Sequence, residues 1–587
     1  MTASRTALVA AAIALQAGLA LHAMRTSSAT FDEGTHLPAG YTHLVLGDHR
    51  LNPEQPPLVK LLAAAPLLTV RPAMKTDDRA WAGSRQWEFG RRFLYVWNDA
   101  DRLLFLGRLP IVALASGLLA AVFLEARRRF GPGPAAAGLG LAALSPDVLA
   151  HGTLVTTDLG FALFFFLSVA AFARALERTT PGRLAAASLA TGAAFATKFS
   201  APILVPVLVL GGLVTALGGG PMETALRGSA RPVGGIGPRL LRVGVLLAVV
   251  GLATLAVVWA SYGFRSALSP DPAVRAALRA PLEAPAGGLV PRAVAAAGEA
   301  GLVPEDYARG FLFVMTHSES RRAFLLGELS DTGFPHYFLA TFLLKTPVPL
   351  LLLAALALAR APRLRRHDAA FLWLPVLVYV ASTASRGLQI GHRHLLPIYP
   401  FLFVAAGEAA SGLWSWRRPL GVAAAALLGA WYAGGTLRNH PHHLAYFNEI
   451  AGGPANGWRV LVDSNLDWGQ DLKRLATWMR TNRVSRIKLS YFGSADPSYY
   501  GIDAEALPGY TAPHATRITR EVRPGDLVAA SVTNLWGVYL EPEDRALLAR
   551  FRPLEPIGRA GWSIRIYRAD FAWPESPPER EPAAGKP

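Results

Sequence analysis

The sequence predicts a polytopic α-helical membrane protein of about eleven transmembrane helices, carrying a C-terminal extracytoplasmic α/β domain. Three observations carry this prediction. Apolar runs near the length of a bilayer crossing recur along a chain that is 52% hydrophobic. Alternate breaks between those runs are rich in arginine. Beyond about residue 438 the long apolar runs stop, and short strand-like stretches alternate with a helical one.

The first run, ALVAAAIALQAGLALHAM within 6–24, is expected to be an uncleaved helix, because no small-residue cleavage site closes it. Further spans are expected at 103–125, 134–150, 158–176, 184–199, 201–217, 242–262, 337–359, 369–384, 395–413 and 419–437, with Pro146 and Pro202 blurring two of the boundaries. If the N-terminus is cytoplasmic, every cytoplasmic break is basic: Arg127 to Arg129, Arg174 to Arg183, Arg227 to Arg242, Arg360 to Arg366, and Arg417 with Arg418. An odd span count then puts loops 25–102 and 263–336, and everything after 437, on the outer face. Residues 1–437 form the membrane domain with its two outer loops. The soluble α/β domain occupies 438–572, with strands expected in VLVDS, IKLSYFG, DLVAASV and SIRIYR and a helix in DLKRLATWMRT. The Pro/Glu-rich end, 573–587, has the composition of a disordered tail.

The formal charge of +17 raises the question of nucleic acid, but the arginines punctuate apolar runs instead of forming a patch with interleaved aromatics. No nucleic-acid partner is expected. The absence of cysteine excludes disulfides and thiolate metal sites.

Polar residues that look out of place collect on the expected outer face. Asp32, Glu33 and His36 follow the first span in FDEGTH; Asp158 opens the fourth in LVTTD; Lys198 lies in ATKFSA, Lys345 in LLKTPVP, and Arg393 in HRHLLPIYP. The chain has only seven lysines, and two of them interrupt apolar segments. An ionisable group at membrane depth costs several kcal/mol on some scales and usually lines a cavity or substrate path, although a lone lysine can also snorkel to the headgroups. Cations at headgroup level suit a lipid phosphate or pyrophosphate. A nearby carboxylate can act as general base on an attacking acceptor. The competing reading of Asp32 and Glu33 is a solvated helix start. PPLVKLL reads as an interfacial amphipathic helix that would shape a lipid entrance.

Taken in this order, FDEGTH, GDHRLNPEQPPL, LSPDVLAHGTLVTTD, ATKFSA, LLKTPVP and HRHLLPIYPF resemble the lipid-carrier-dependent GT-C glycosyltransferases of the protein mannosyltransferase type, glycosyltransferase family 39, which include the lipid A aminoarabinose transferases. The resemblance runs from about residue 30 to 475. It implies an integral protein of the bacterial cytoplasmic membrane that takes a monosaccharide from a polyprenyl-phosphate-linked donor. The sugar would pass, with inversion, to a protein, lipid or glycan acceptor outside the cytoplasm. By the same resemblance Asp32 is the expected catalytic base with Glu33 and Asp158 as neighbouring acids, and Lys198, Arg393 and Lys345 are donor-phosphate ligands. One position departs: Gln55 stands where aminoarabinose transferases carry lysine, and a neutral amide donates a hydrogen bond without neutralising phosphate. Some relatives bind a divalent metal through residues that would map to Glu54 and His336. HHLAYFNEIAGGPANGWRVLVDSNLDWGQDL is a further familiar segment, but the resemblance assigns it no role. The alternative from another class is a secondary transporter or lipid flippase. Clustering of the unusual charges at one face, with no visible repeat, favours an enzyme.

Overall fold

The computed structural model describes residues 3–218, 220–225, 229–266, 269–272, 288–317, 321–384, 388–416, 418–509 and 518–574. Arg227, Arg417 and the tail from residue 575 onward fall outside the described residues.

Among the described residues, six helices are long and apolar enough to cross a membrane: Thr6–Thr26, Ala100–Phe130, Thr157–Glu177, Ile236–Ser261, His392–Ser415 and Pro419–Arg438. A seventh span is formed if Tyr337–Lys345 and Val348–Arg363, bent by 114° at their junction, count as one. The chain is an integral membrane protein. The bend has a local cause. Thr346 is extended and Pro347 follows it, so the backbone leaves the helical region before a residue with no N–H to offer.

Other expected spans are shorter or broken. The run at 134–150 divides into Pro132–Ala143 and Pro146–His151, because Ser145 caps the second piece and Pro146 occupies its first turn. The run at 184–199 is the helix Pro181–Phe195, and that at 201–217 starts as a 3-10 turn before Leu204–Leu217. Position 369–384 is helical within Arg366–Ala384. Thr157–Glu177 sits at the centre of the bundle, where Phe161, Phe165, Phe166 and Phe172 are fully buried. A helix apolar on every side is the kind that packs inside a bundle.

The first long loop folds over one end of the bundle as the helices Glu33–Leu46 and Leu58–Ala64. The C-terminal region holds a five-stranded sheet in the order Ala504–Ala506, Ile487–Ser490, Leu527–Ser531, Ile564–Arg568, Gly558–Ala560. The first three strands pair in parallel and the last two antiparallel. Leu472–Thr481 is the expected helix beside it. VLVDS is not a strand: it enters a 3-10 turn at Asp463–Asn465, with Asp463 at φ 56°. The difference matters, because this turn reaches into the membrane domain.

Candidate functional site

A cavity of about 540 Å³ opens where the first loop, the bundle and the C-terminal region meet. Asp32, Glu54, Gln55, Asp158, Lys198 and Arg393 all line it.

Asp32 precedes the helix Glu33–Leu46 at the position where a side chain would ordinarily cap, yet it makes no capping bond. Its backbone carbonyl accepts from Thr35 and His36, and its carboxylate instead accepts from Arg393 Nη1 at 2.8 Å. The solvated-cap reading therefore does not hold. Asp158 lies in the first turn of Thr157–Glu177, where the helix N-terminus favours negative charge. Lys198, in the turn after Pro181–Phe195, pairs with Asp158. Arg393 also reaches Asp158, at 3.5 Å, so one guanidinium is shared by two carboxylates. Its flat face lies 4.1 Å from the Trp468 ring centroid. Asp32 is the accessible member: its side chain is 25% exposed, against 10% for Arg393, 8% for Lys198 and 2% for Asp158.

Other expected residues have different places. Glu33 is completely buried and does not line the cavity. Arg108 clasps it through two hydrogen bonds of 2.7 Å, and Thr30 and Val155 amides donate to it as well. Burial alone would raise its carboxyl, but Arg108 and these amides hold it below the usual carboxylate range. Glu33 is a structural anchor for the loop. Lys345 also lies away from the cavity: its ammonium donates to the carbonyls of Leu444 at 2.8 Å and Asn465 at 2.5 Å, and stands 4.5 Å from the Phe447 ring centroid. Gln55 lines the cavity, and its carbonyl accepts from Lys60 at 2.8 Å.

Glu54 faces the cavity, where its carboxylate accepts from Asn52 at 2.8 Å and from Gln86 at 2.5 Å. His336 is exposed at the start of Tyr337–Lys345 and is not part of the cavity wall. Among the described residues, no group of three or more acids and histidines is arranged to hold a metal ion. Of the expected pair, Glu54 lines the cavity and His336 does not.

Several contributors were missed in the sequence. Lys60 lies within the amphipathic helix but is buried, donating to the Asn52 carbonyl and side chain and the Gln55 carbonyl. Burial lowers its ammonium to about 7, against the pull of Glu54. The segment DSNLDW supplies Asp463 and Trp468 to the cavity, and Tyr539 joins them from the stretch that follows the strand Leu527–Ser531. This segment is clamped onto the loop that carries Arg393. Ser464 Oγ donates to the Ile390 carbonyl at 2.7 Å, and the His392 amide donates to Asn465 Oδ1 at 2.8 Å. Gly391 permits the approach, since a Cβ there would meet Ser464 Oγ at 2.2 Å. Lys345 braces the other side of Asn465, so it acts on the cavity at one remove.

The arrangement offers a partly exposed carboxylate beside two cations in a low-dielectric recess. Such a recess strengthens an anion's interaction with Lys198 and Arg393 and leaves Asp32 accessible to a proton donor.

A family model described as dolichyl-phosphate-mannose-protein mannosyltransferase matches residues 101–220, the stretch that contains Asp158 and Lys198. No curated protein matches the chain in sequence. Among solved structures, ArnT from Cupriavidus metallidurans bound to undecaprenyl phosphate is 13% identical, over 96% of this chain and 98% of its own, with a TM-score of 0.48. The archaeal oligosaccharyltransferase AglB from Archaeoglobus fulgidus, in complex with an inhibitory peptide and a dolichol-phosphate, is 13% identical over 82% of this chain and 58% of its own, also with a TM-score of 0.48.

Proposed function

We propose that the chain is a membrane glycosyltransferase of the GT-C type, transferring a monosaccharide from a polyprenyl-phosphate donor to an extracytoplasmic acceptor. The observation that carries this reading is the convergence of Asp32, Asp158, Lys198 and Arg393, from four separate elements, on one cavity beside apolar spans. The family match over 101–220 supports it. The arginine asymmetry supports the orientation, with eleven crossings, the N-terminus inside and the C-terminal domain outside.

In this reading Lys198 and Arg393 neutralise the donor phosphate with charge-assisted hydrogen bonds. The phosphate competes with Asp32 for the Arg393 guanidinium, which frees the Asp32 carboxylate. Asp32 then takes the proton of the acceptor as that group attacks the anomeric carbon. The sugar–phosphate bond breaks in the same displacement, the configuration inverts, and the bond's electrons leave on the polyprenyl phosphate. Asp158 holds Lys198 and Arg393 in place through the cycle.

The test is to incubate the purified protein in detergent with radiolabelled polyprenyl phosphosugars and delipidated envelope extract. Sugar transfer with release of polyprenyl phosphate is the expected result. A donor that moves across proteoliposomes yet is never consumed in detergent would replace the transferase by a flippase.

A further inference from the structure

A second group of cations stands at the end of the bundle opposite the cavity. Arg174 follows Asp158 by sixteen residues on the helix Thr157–Glu177, which separates them by about 24 Å along its axis. That is most of the roughly 30 Å thickness of a bilayer's hydrocarbon core. Here a groove of about 420 Å³ lies between Ala100–Phe130, Thr157–Glu177 and Pro181–Phe195.

Each of the three helices gives the groove the same pair of residues on one face. Arg128 is matched with Leu124, Arg174 with Ala171, and Arg183 with Ala186. In every pair the arginine is nearer the helix end, and the apolar residue lies about one turn deeper in the bundle. The groove is therefore basic at its mouth and apolar below. Among the described residues, no carboxylate lines it. The acid that holds the arginines sits behind them: Glu125, with its side chain 4% exposed, is shared by Arg128 at 3.2 Å, Arg129 at 2.6 Å and Arg174 at 2.5 Å, while Arg128 also reaches Glu177 at 2.8 Å. Arg183 pairs with no carboxylate among the described residues. Its Nη1 donates to the carbonyls of Arg174 at 3.0 Å and Arg178 at 3.3 Å, which leaves the rest of the guanidinium for a ligand. A Cβ on the neighbouring Gly182 would meet nothing within 4 Å, so the groove is open beside Arg183.

We infer that this groove binds an anionic phospholipid, with the phosphate held by Arg128, Arg174 and Arg183 and an acyl chain lying along Leu124, Ala171 and Ala186. Guanidinium groups match phosphate in charge and in fork geometry, and basic pockets between spans are where anionic headgroups lodge. Topogenesis asks only for arginines in these breaks; it does not ask that three of them share one groove with an apolar residue beneath each. A lipid seated there ties together the far ends of the helix that carries Asp158 and the helix that leads into Lys198. The site is independent of the transferase reading and of which membrane face is cytoplasmic.

The experiment measures lipid binding to the full-length protein in detergent by native mass spectrometry, with dioleoyl phosphatidylglycerol as the probe, dioleoyl phosphatidylcholine as the neutral comparison and inorganic phosphate as the probe without acyl chains. Undecaprenyl phosphate is titrated in parallel. Phosphatidylglycerol should bind more tightly than phosphatidylcholine, and Arg183→Gln should weaken it about fivefold while leaving undecaprenyl phosphate unchanged. Ala186→Trp, which fills the groove below the arginines and touches none of their charges, should weaken phosphatidylglycerol in the same direction. Lys198→Met should leave it unchanged. Equal binding of the two phospholipids, or phosphatidylglycerol binding indifferent to both Arg183→Gln and Ala186→Trp, would overturn the inference. So would phosphate binding as tight as that of the lipid, which would make this a free-anion site, or loss of phosphatidylglycerol in Lys198→Met, which would place the lipid in the cavity. Undecaprenyl phosphate binding that falls in Arg183→Gln would give the groove to the polyprenyl carrier instead.

Discussion

Asp32 and Glu33 are consecutive carboxylates, each paired with an arginine, and the two pairs have opposite characters. Glu33 and Arg108 are sealed, with side chains 0% and 1% exposed, and both Glu33 oxygens are occupied by guanidinium, amide and hydroxyl donors. Asp32 and Arg393 stand at the cavity, where the arginine is divided between Asp32 and Asp158. Ion pairing alone does not separate a strut from a site. What separates them is spare hydrogen-bonding capacity that a ligand can reach.

The largest test of that difference is Asp32→Asn. It keeps size and removes the proton acceptor, so sugar transfer should fall about 10²- to 10⁴-fold with the melting curve unchanged. Undecaprenyl phosphate affinity should hold or improve, because the amide no longer competes for Arg393. Near-normal transfer in the purified variant would remove the base assignment and, with it, the contrast between the neighbours.

The converse substitution, Glu33→Gln, should damage folding instead of chemistry. It leaves Arg108 buried without its counter-charge, a loss of about 3–5 kcal/mol. Thermal unfolding in detergent measures it, and the surviving folded fraction should retain its donor affinity. A stable but inactive Glu33→Gln protein would place Glu33 in the chemistry after all.

Lys198→Met and Arg393→Leu sharpen the open side. Each removes a charge-assisted contact worth about 1.5–3 kcal/mol, so undecaprenyl phosphate should bind about ten- to a hundredfold more weakly. Titration of the lipid phosphate into purified protein is the measurement. Lys345→Met provides the comparison, since Lys345 braces Asn465 from outside the cavity: stability should fall by more than affinity. Equal losses of affinity at all three would mean that the cavity cations Lys198 and Arg393 do no more for the lipid phosphate than the Lys345 brace outside it.

These cases also show what the sequence could reveal. Scarcity of lysine and misplaced charge were enough to find Lys198, Arg393 and Asp158, because burying a charge is costly wherever the chain later leads it. The same signal could not tell Lys198 from Lys345, whose partners Leu444 and Asn465 lie far along the chain. Asp32 and Glu33 look alike in sequence, and only the turn of one helical residue sends them to different arginines. Lys60 escaped notice because an amphipathic helix ordinarily exposes its lysine, whereas this lysine is turned inward to the Asn52 and Gln55 carbonyls. Broken spans were legible as prolines, but the 114° bend depends on how the two halves pack. The contribution of Asp463, Trp468 and Tyr539 was hidden because VLVDS has the composition of a strand, and its turn is imposed by contacts with Ile390, His392 and Thr533.

The last comparison sets another buried carboxylate, Asp467, beside Glu33: it has what Glu33 lacks and lacks what Glu33 has. It is fully buried, accepts from the Thr533 amide at 3.0 Å through Oδ2, and has no hydrogen-bond partner at Oδ1. Burial pushes its carboxyl up to about 8, with the Thr533 contacts pulling down and Asp471 and Asp463 adding to the rise. From the ordinary value of 3.8 up to about 8, the native state keeps a proton that the unfolded chain has released. Stability from this group is therefore full below that window and is lost as pH rises through it, by up to about 1.4 kcal/mol per pH unit. Asp467→Asn keeps an oxygen for the Thr533 amide and removes the titration. Its unfolding free energy relative to the parent should climb between pH 5 and pH 8, as ordered by about that slope, and level off above. Unfolding curves in detergent at successive pH values give the difference directly. Parallel curves for the two proteins would mean that Asp467 is ionised in the fold, stabilised by its neighbours as Glu33 is by Arg108, and that a buried carboxylate in this chain needs no arginine to stay charged.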